Sequence, residues 1–473
     1  MLVPAGAAHS ATAKPNVVFI VTDDQRWDEL SHMPTVQREL VHKGTRFTQA
    51  FVTDALCCPS RISMLRGQYD HSTGVYNNDG TYGGWQRIHA MGLENSTMAT
   101  WLHGAGYRTG FVGKYFNGYN NLTYVPPGWD MWRARKGPNY YNYDVSENGV
   151  PKTYGSAPAD YDADVMTSYA DSFIRSTPTA QPLFLWLAYH EPHAPWTPAP
   201  RYIGDPRCAG ETNTDAASFN EADVTDKPSY IGVLPPFTTA EARTIGTTNW
   251  VSACESLLGV DSGVSTVLAA LQATGRLDNT IIVFTSDSGL LYGEHRVASS
   301  KAVPYEEGIR IPLIVRYDPL TKGITTTDSH LVLGIDFAPT IADLTGLTVT
   351  PGCPSTPWKG VCHPGFDGRT LMPLVGGQPA SFARSAFLIE HYENPTDNKI
   401  PTYCATRTRR YIYVRYVDGE QELYDLQTDP SELRNLVYAN TDPAIEALRK
   451  QMLARLKSLC TPTPPDYSFA GAT

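Results

Sequence analysis

The chain of 473 residues is 41% hydrophobic, enough for a large core and for more than one domain. Its formal charge is −10, from 38 Lys+Arg against 48 Asp+Glu with no basic run, which speaks against a nucleic-acid binder. No apolar run approaches the roughly 18 residues needed to span a bilayer, whereas an anionic small substrate stays open because local cations can oppose the net sign.

Met1 to Lys14 is small and polar. It lacks the basic and apolar regions of an intact signal peptide and reads as a disordered N-terminal remnant, residues 1–14. An α/β domain is expected over 15–350. Asn16 to Val21 is a continuous β-branched run, hence a buried parallel strand, and it ends in Thr22-Asp23-Asp24. Ala55 to Gly67 reads as a loop entering a helix. Pro59 suits the first helical position and Gly67 the end. Cys57 then stands just before the helix start, where free N–H groups and the macrodipole favour an anion, with Arg61 one turn in. Gln68 to Gly84 is loop-like and reads as a pocket wall carrying His71 and Asn77. A helix is expected around Thr97 to His103, then a strand from Tyr107 to Val112 ending in Gly113-Lys114. The Tyr/Asn/Pro-rich stretch to about Ala159 reads as a long insertion.

Asp160 to Ser176 has helical spacing. Pro182 to Ala188 is a buried strand running into Tyr189-His190-Glu191-Pro192-His193-Ala194-Pro195-Trp196. Of its two histidines, His193 in the proline-stiffened part is the stronger candidate for binding an anion or moving a proton. Thr239 to Thr274 reads as a long helix with Leu257, Val260, Val264, Leu268 and Leu271 on one face. Asn279 to Phe284 is a fourth buried strand, ending in Thr285-Ser286-Asp287-Ser288-Gly289, and Ile309 to Arg316 a further one. Asp336 suits a helix cap. Residues 351–379 are Pro/Gly-rich and look like a linker. Residues 380–473 read as a smaller α+β unit with antiparallel strands at Ser385–His391 and Pro401–Val417, a turn at Asp418-Gly419, and a helix after Asp442-Pro443.

Four strands thus end in Asp23/Asp24, Lys114, His193 and Asp287, and they alternate with helices. That pattern implies a mostly parallel central sheet with helices on both faces. Ligands of such sheets bind at the carboxyl ends of the strands, so three acids, a lysine and a histidine are expected to gather around the helix start at Cys57. Tyr115, Glu191, Glu294 and His295 are further pocket candidates. Outside Cys57-Cys58 there are six cysteines. Cys353–Cys362 brackets a loop, and Cys404–Cys460 with Cys208–Cys254 would complete a set of three, a connectivity that stays open. Three disulfides imply a secreted or other oxidising, extracytoplasmic setting.

Cys57-Cys58-Pro59-Ser60-Arg61 resembles the signature of the type I, formylglycine-dependent sulfatases of the alkaline phosphatase superfamily. Thr22-Asp23-Asp24, Gly113-Lys114, Pro192-His193-Ala194-Pro195-Trp196, Ser286-Asp287-Ser288-Gly289, Lys301 and Glu422-Leu423-Tyr424-Asp425 with Asp429-Pro430 extend the likeness over nearly the whole chain. The doubled cysteine and Pro-His-Ala-Pro-Trp look most like the N-acetylglucosamine-6-sulfatase branch. The resemblance implies a sulfuric ester hydrolase of sulfated carbohydrates, glycosaminoglycan included, or of aryl sulfates. It implies a formylglycine derived from Cys57 by a formylglycine-generating enzyme. It implies one Ca²⁺ (alternatively Mg²⁺) held by Asp23, Asp24, position 57, Asp287 and Ser288. The implied catalytic residues are Cys57, Arg61, Lys114, His193 and Lys301. Those meeting substrate are Lys114, His193, Lys301 and His295. Ser288 departs from the family's usual asparagine, and Phe116 from a frequent histidine. Two other readings accompany this one: a phosphonate monoester or phosphodiester hydrolase of the same superfamily, and an unmodified, non-catalytic binding homologue.

Overall fold

The computed structural model describes residues 14–323, 325–361, 363–394 and 399–472. The N-terminal remnant therefore lies outside the described residues, apart from Lys14. The strands among the described residues are β1 (Asn16–Thr22), β2 (Thr45–Phe47), β3 (Ala50–Phe51), β4 (Arg108–Lys114), β5 (Met131–Lys136), β6 (Asp144–Glu147), β7 (Val150–Thr153), β8 (Leu183–Ala188), β9 (Thr280–Ser286), β10 (Leu313–Tyr317), β11 (Thr326–Asp328), β12 (Val332–Leu333), β13 (Ala386–His391), β14 (Tyr403–Thr408), β15 (Tyr411–Tyr416) and β16 (Gln421–Asp425).

Ten of them form one sheet in the order β11-β2-β10-β9-β1-β8-β4-β5-β6-β7. Its centre, β9-β1-β8-β4-β5, is parallel. Strand β1 shows why the sheet is covered twice. Alternate side chains leave opposite faces of a strand, and here Val17, Phe19 and Val21 enter one apolar cluster while Val18 and Ile20 enter another. The first face packs Ile62, Met64 and Leu65 of the helix Cys57–Arg66. The second packs Met166, Phe173 and Ile174 of the helix Asp162–Ser176 with Leu257, Val260 and Val264 of the helix Trp250–Ala273. The mostly parallel α/β architecture expected from the sequence is present. So is the C-terminal antiparallel sheet, β13-β14-β15-β16.

Several local expectations are corrected. The 115–159 stretch is no structureless insertion: it contributes β5, β6 and β7 to the main sheet. Ile309 closes a short helix, Glu306–Ile309, and the strand starts only at Leu313. Asp336 makes no side-chain cap to the helix after it. Its carboxylate instead accepts from the Leu333 and Arg369 amides and pairs with Arg384. The run Thr239–Ala273 is, by length and composition, long and apolar enough to cross a membrane, contrary to the reading of the primary sequence. In the fold 78% of its apolar window is buried, as expected of a core helix.

One face of the C-terminal sheet, through Phe387, Ile389, Tyr403 and Val414, joins the main core. The other face is covered by Met452, Leu453 and Leu456 of the helix Pro443–Leu459. Residues 351–379 are strapped onto the end of the Cys57 helix. Arg66 donates to the Pro351 and Gly352 carbonyls, and Gln68 to those of His363 and Gly365. Disulfides join Cys208 to Cys254 and Cys404 to Cys460. The third expected pair involves Cys362, which lies outside the described residues.

Candidate active site

The acids gather because β1 and β9 are neighbours in register. Thr22 pairs with Ser286 at the carboxyl ends of the two strands, and the chain then turns. The Asp287 amide donates to the Thr22 carbonyl at 3.1 Å, and the Asp24 amide to Asp287 Oδ1 at 3.2 Å. Asp24 holds a left-handed φ of 69°, a strained conformation for a non-glycine residue. One carboxylate oxygen from each of Asp23, Asp24 and Asp287 lies within 4.8 Å of the others, and all three residues are buried. Three buried carboxylates, oxygen donors only, are the donor set of a hard divalent cation.

The helix Cys57–Arg66 points its N-terminus at these acids. It starts at Cys57 itself, after the extended Leu56, so Pro59 is its third residue and not its first. That is still within the turn whose N–H groups need no helical partner. Gly67 ends the helix with φ 71°. Cys57 Sγ lies 3.7 Å from Asp23 Oδ1, 3.4 Å from Lys114 Nζ and 2.9 Å from Lys301 Nζ. One turn on, Arg61 Nε donates to Asp287 Oδ2 at 2.6 Å and Nη1 to the Lys114 carbonyl at 2.7 Å. Lys114 pairs with Asp23, and Lys301 with Asp24. From β8 arrive His190, with Nδ1 3.3 Å from Asp23 Oδ2, and His193, with Nε2 3.7 Å from Asp24 Oδ2. Their rings stack at 4.8 Å.

Electrostatics follow from this density of charge. Burial raises the Asp23 carboxyl, but Lys114, His193, His190 and Arg61 outweigh it and hold it well below the usual range. Burial wins at Asp287, which is raised despite Arg61. Burial works against the Lys301 ammonium, yet Asp24, Cys57, Asp23 and Asp287 carry it well above the ordinary lysine value. Burial pushes the Cys57 thiol up to about 11 although Lys114 and Lys301 pull the other way. The unmodified thiol is therefore a poor nucleophile at neutral pH.

The family model described as Sulfatase matches residues 15–347. The chain belongs to the sulfatase family. A model described as N-sulphoglucosamine sulphohydrolase, C-terminal, matches residues 293–461. The chain is similar to the N-acetylglucosamine-6-sulfatase of Homo sapiens, 30% identical over 97% of this chain and 89% of that one. It is also similar to the extracellular sulfatase SULF-1 homolog of Drosophila melanogaster, 33% identical over 76% of this chain, and it spans only 31% of that longer protein. A solved structure in complex with its substrate D-glucosamine-2-N,6-O-disulfate is similar with TM-score 0.74 and 25% identity, over 95% of this chain and 99% of that one. The phosphonate monoester hydrolase of Agrobacterium radiobacter shares the fold, with TM-score 0.71 and 19% identity over 94% and 95% of the two chains. As a member of this family the protein is a sulfuric ester hydrolase, and the family brings a metal ion and a formylglycine.

The sulfatase's remaining expected residues divide. The Ser288 hydroxyl donates to Asp24 Oδ1 at 2.8 Å, so it reaches the acid cluster by holding a carboxylate. His295 does not join the site. It is fully buried, its Nδ1 lies 2.7 Å from Glu221 Oε2 and its ring stacks on Tyr305 at 4.0 Å, which leaves it no surface for a substrate. His71 pairs with Glu390, Asn77 donates to the Tyr392 carbonyl, Tyr115 donates to Glu94, Glu191 accepts from the Ala163 amide and Glu294 pairs with Arg26. Four of them are spent inside the fold, whereas Tyr115, with its hydroxyl held by Glu94, still lines the cleft beside Lys114. Cys58 is structural too: its amide donates to Asn78 Oδ1 at 2.8 Å, and its sulfur accepts from the Asn117 amide at 3.1 Å.

A cleft of about 210 Å³ opens beside the site, lined by Lys114, Phe116, Asn117, Lys136, His190 and His193 among others. Lys136 was missed from sequence because it ends β5, a strand hidden in the apparent insertion. Its strand, Met131-Trp132-Arg133-Ala134-Arg135-Lys136, is mostly buried yet carries three cations, so it offers neither an apolar run nor a clean alternation.

Proposed function

We propose that this sulfatase hydrolyses the sulfate ester of a 6-O-sulfated glucosamine unit, using a formylglycine hydrate at position 57 and one Ca²⁺. The observation that carries this is the meeting of Cys57 Sγ with Lys301, Lys114 and Asp23 at 2.9, 3.4 and 3.7 Å, at the start of a helix. Asp23, Asp24 and Asp287 would hold the cation, with position 57 turned toward it and Ser288 steadying Asp24. Bound there, a divalent cation supplies positive charge to the sulfate oxygens and to the attacking hydroxyl. A formylglycine hydrate supplies two hydroxyls on one carbon, one to attack sulfur and one to release the sulfate afterwards.

The chain's own residues do the rest. Lys114 and Lys301 stay protonated through the neutral range and hold the sulfate oxygens as charge builds on them. Arg61 fixes Asp287 and the backbone of Lys114 in one rigid fork. His193 stands at the cleft and gives a proton to the departing sugar oxygen. Maturation needs a formylglycine-generating enzyme, and the disulfides Cys208–Cys254 and Cys404–Cys460, with extracellular relatives, support an extracytoplasmic site of action.

The branch assignment rests on similarity to N-acetylglucosamine-6-sulfatase and to the structure holding a 6-O-sulfated glucosamine. The test is mass spectrometry of the tryptic peptide ending at Arg61, followed by a substrate panel. Conversion of Cys57 to the aldehyde with turnover of 6-O-sulfated N-acetylglucosamine is expected. Preference for a phosphonate monoester would overturn the substrate reading, and turnover by a fully unconverted thiol would overturn the nucleophile.

A further inference from the structure

His295, Glu307 and Glu432 form a second cluster that shares no residue with the catalytic acids. Each brings one possible ligand atom to within 4.8 Å of the others. All three side chains are more than nine-tenths buried. His295 Nε2, Glu307 Oε2 and Glu432 Oε1 have no hydrogen-bond partner among the described residues.

The other ends of two of these side chains are engaged. His295 Nδ1 lies 2.7 Å from Glu221 Oε2, and that carboxylate is itself held by Lys227 at 3.3 Å. Glu432 Oε2 accepts from the Glu306 amide at 3.0 Å. A carboxylate on Nδ1 makes that nitrogen the donor and leaves Nε2 a bare lone pair, the arrangement that orients a metal-bound histidine. The space between the three therefore faces an imidazole nitrogen and two carboxylate oxygens, buried apart from the edge where Glu307 lines a cleft. Acceptors so placed lose their hydration and are satisfied only when a shared proton or a cation sits between them.

We propose that His295, Glu307 and Glu432 bind a second, structural divalent cation of the Zn²⁺ or Mn²⁺ kind. One imidazole and two carboxylates suit such a transition metal, whereas Ca²⁺ and Mg²⁺ favour all-oxygen sets like the one at Asp23, Asp24 and Asp287. The cation would act on the chain's organisation. His295 and Glu307 bracket Lys301 in sequence, and Glu432 comes from the segment after β16. Tying them together pins the loop that delivers Lys301 to the nucleophile against the C-terminal layer.

The test uses the whole protein, stripped with a chelator, refilled with excess Ca²⁺ and then given Zn²⁺ or Mn²⁺. Metal content after desalting is read by mass spectrometry, and the ion is located by anomalous diffraction. One transition-metal ion per chain, with its peak between the three side chains, is expected. Glu432→Gln should retain less than about a tenth of it and lose the rise in melting temperature that the metal gives the wild type. A wild-type protein that retains none, or a peak only at the Asp23 cluster, would overturn the proposal. So would an ordered water bonded to all three side chains. If Glu432→Gln fails to fold, the wild-type peak alone decides.

Discussion

Arg61 Nε and Asp287 Oδ2 meet at 2.6 Å in a part of the protein with almost no solvent contact. The same guanidinium reaches the Lys114 carbonyl and lies 3.7 Å from Asp23. A buried pair of this kind is worth little against a well-packed apolar pair, but breaking it by removing one partner is costly. Arg61→Ala should lower unfolding free energy by about 3–5 kcal/mol, because it strands a buried carboxylate. Arg61→Lys should fall between, since one ammonium cannot serve both acceptors. Urea denaturation of both variants checks this; an Arg61→Ala variant as stable as wild type would show that Asp287 is compensated by another group.

His193 decides the pH dependence. Burial is the largest influence on it, and with the cations Lys114 and Lys301 it outweighs Asp23 and Asp24 to hold the imidazolium below the ordinary 6.5. A proton donor works only while protonated, so kcat/KM should fall as pH rises through that lowered value, giving an acidic optimum. Lys301, raised well above the ordinary lysine value, gives no such limb in the neutral range. His193→Gln should leave a lower, flat profile from about pH 5 to about pH 9. A flat wild-type profile over the same range would assign the proton to Lys301.

Much of this was legible because the three acids and the two histidines follow strands with a strong apolar signature. Val17 to Val21, Leu183 to Ala188 and Thr280 to Ser286 are fully buried runs, and in a parallel sheet their carboxyl ends must lie side by side. Lys301 was different: no strand delivers it, and only its place in the resembling motif pointed to it. The three strands after Tyr115 were illegible because β5 carries three cations, β6 has only four residues, and β7 is a wholly exposed edge strand, so no apolar run marks them. His295 failed for the opposite reason. A histidine beside a glutamate in a glycine-rich loop reads as exposed chemistry, and nothing local reveals that Glu221, far off in sequence, covers it. His190 stood in plain view, but which of two histidines meets which aspartate depends on a turn that sequence does not fix.

Metal removal separates the cation's part from the lysines'. A chelator should abolish turnover, and Ca²⁺ should restore it. At about one hundred times its dissociation constant the ion adds about 2.7 kcal/mol of stability. Asp287→Asn should lose both effects. Lys114→Ala, by contrast, should keep the thermal response to Ca²⁺ while kcat falls by about 10²–10³. Calorimetric titration with Ca²⁺ beside initial rates gives both readouts; a Lys114→Ala variant with unchanged kcat would remove it from the charge-stabilising set.

Lys136 offers a handle on substrate choice. It lines the cleft beside Lys114 and His193 and forms no ion pair among the described residues. Its half-exposed ammonium is placed to meet a second anionic group on a sugar, at the modest value of a solvent-screened contact, about 0.5–1 kcal/mol. Lys136→Ala should therefore raise KM about three- to fivefold for a disulfated glucosamine and leave kcat alone. A small neutral aryl sulfate should show no change. Equal effects on both substrates would mean that Lys136 acts on the sulfate being cleaved.

The disulfide between Cys404 and Cys460 ties β14 to the end of the helix Pro443–Leu459 across 56 residues of chain. Closing a loop of that length restrains the unfolded chain by about 4 kcal/mol in the loop-entropy treatment. The helix has a second hold, since Met452, Leu453 and Leu456 bury against Leu388, Tyr413 and Leu423. Replacing both cysteines with alanine should therefore destabilise the protein by up to that amount without releasing the helix. The catalytic acids lie in the other sheet, so turnover at moderate temperature should persist. Urea denaturation beside activity measures the two effects; loss of activity in a variant that remains folded would reveal that the C-terminal layer shapes the site directly.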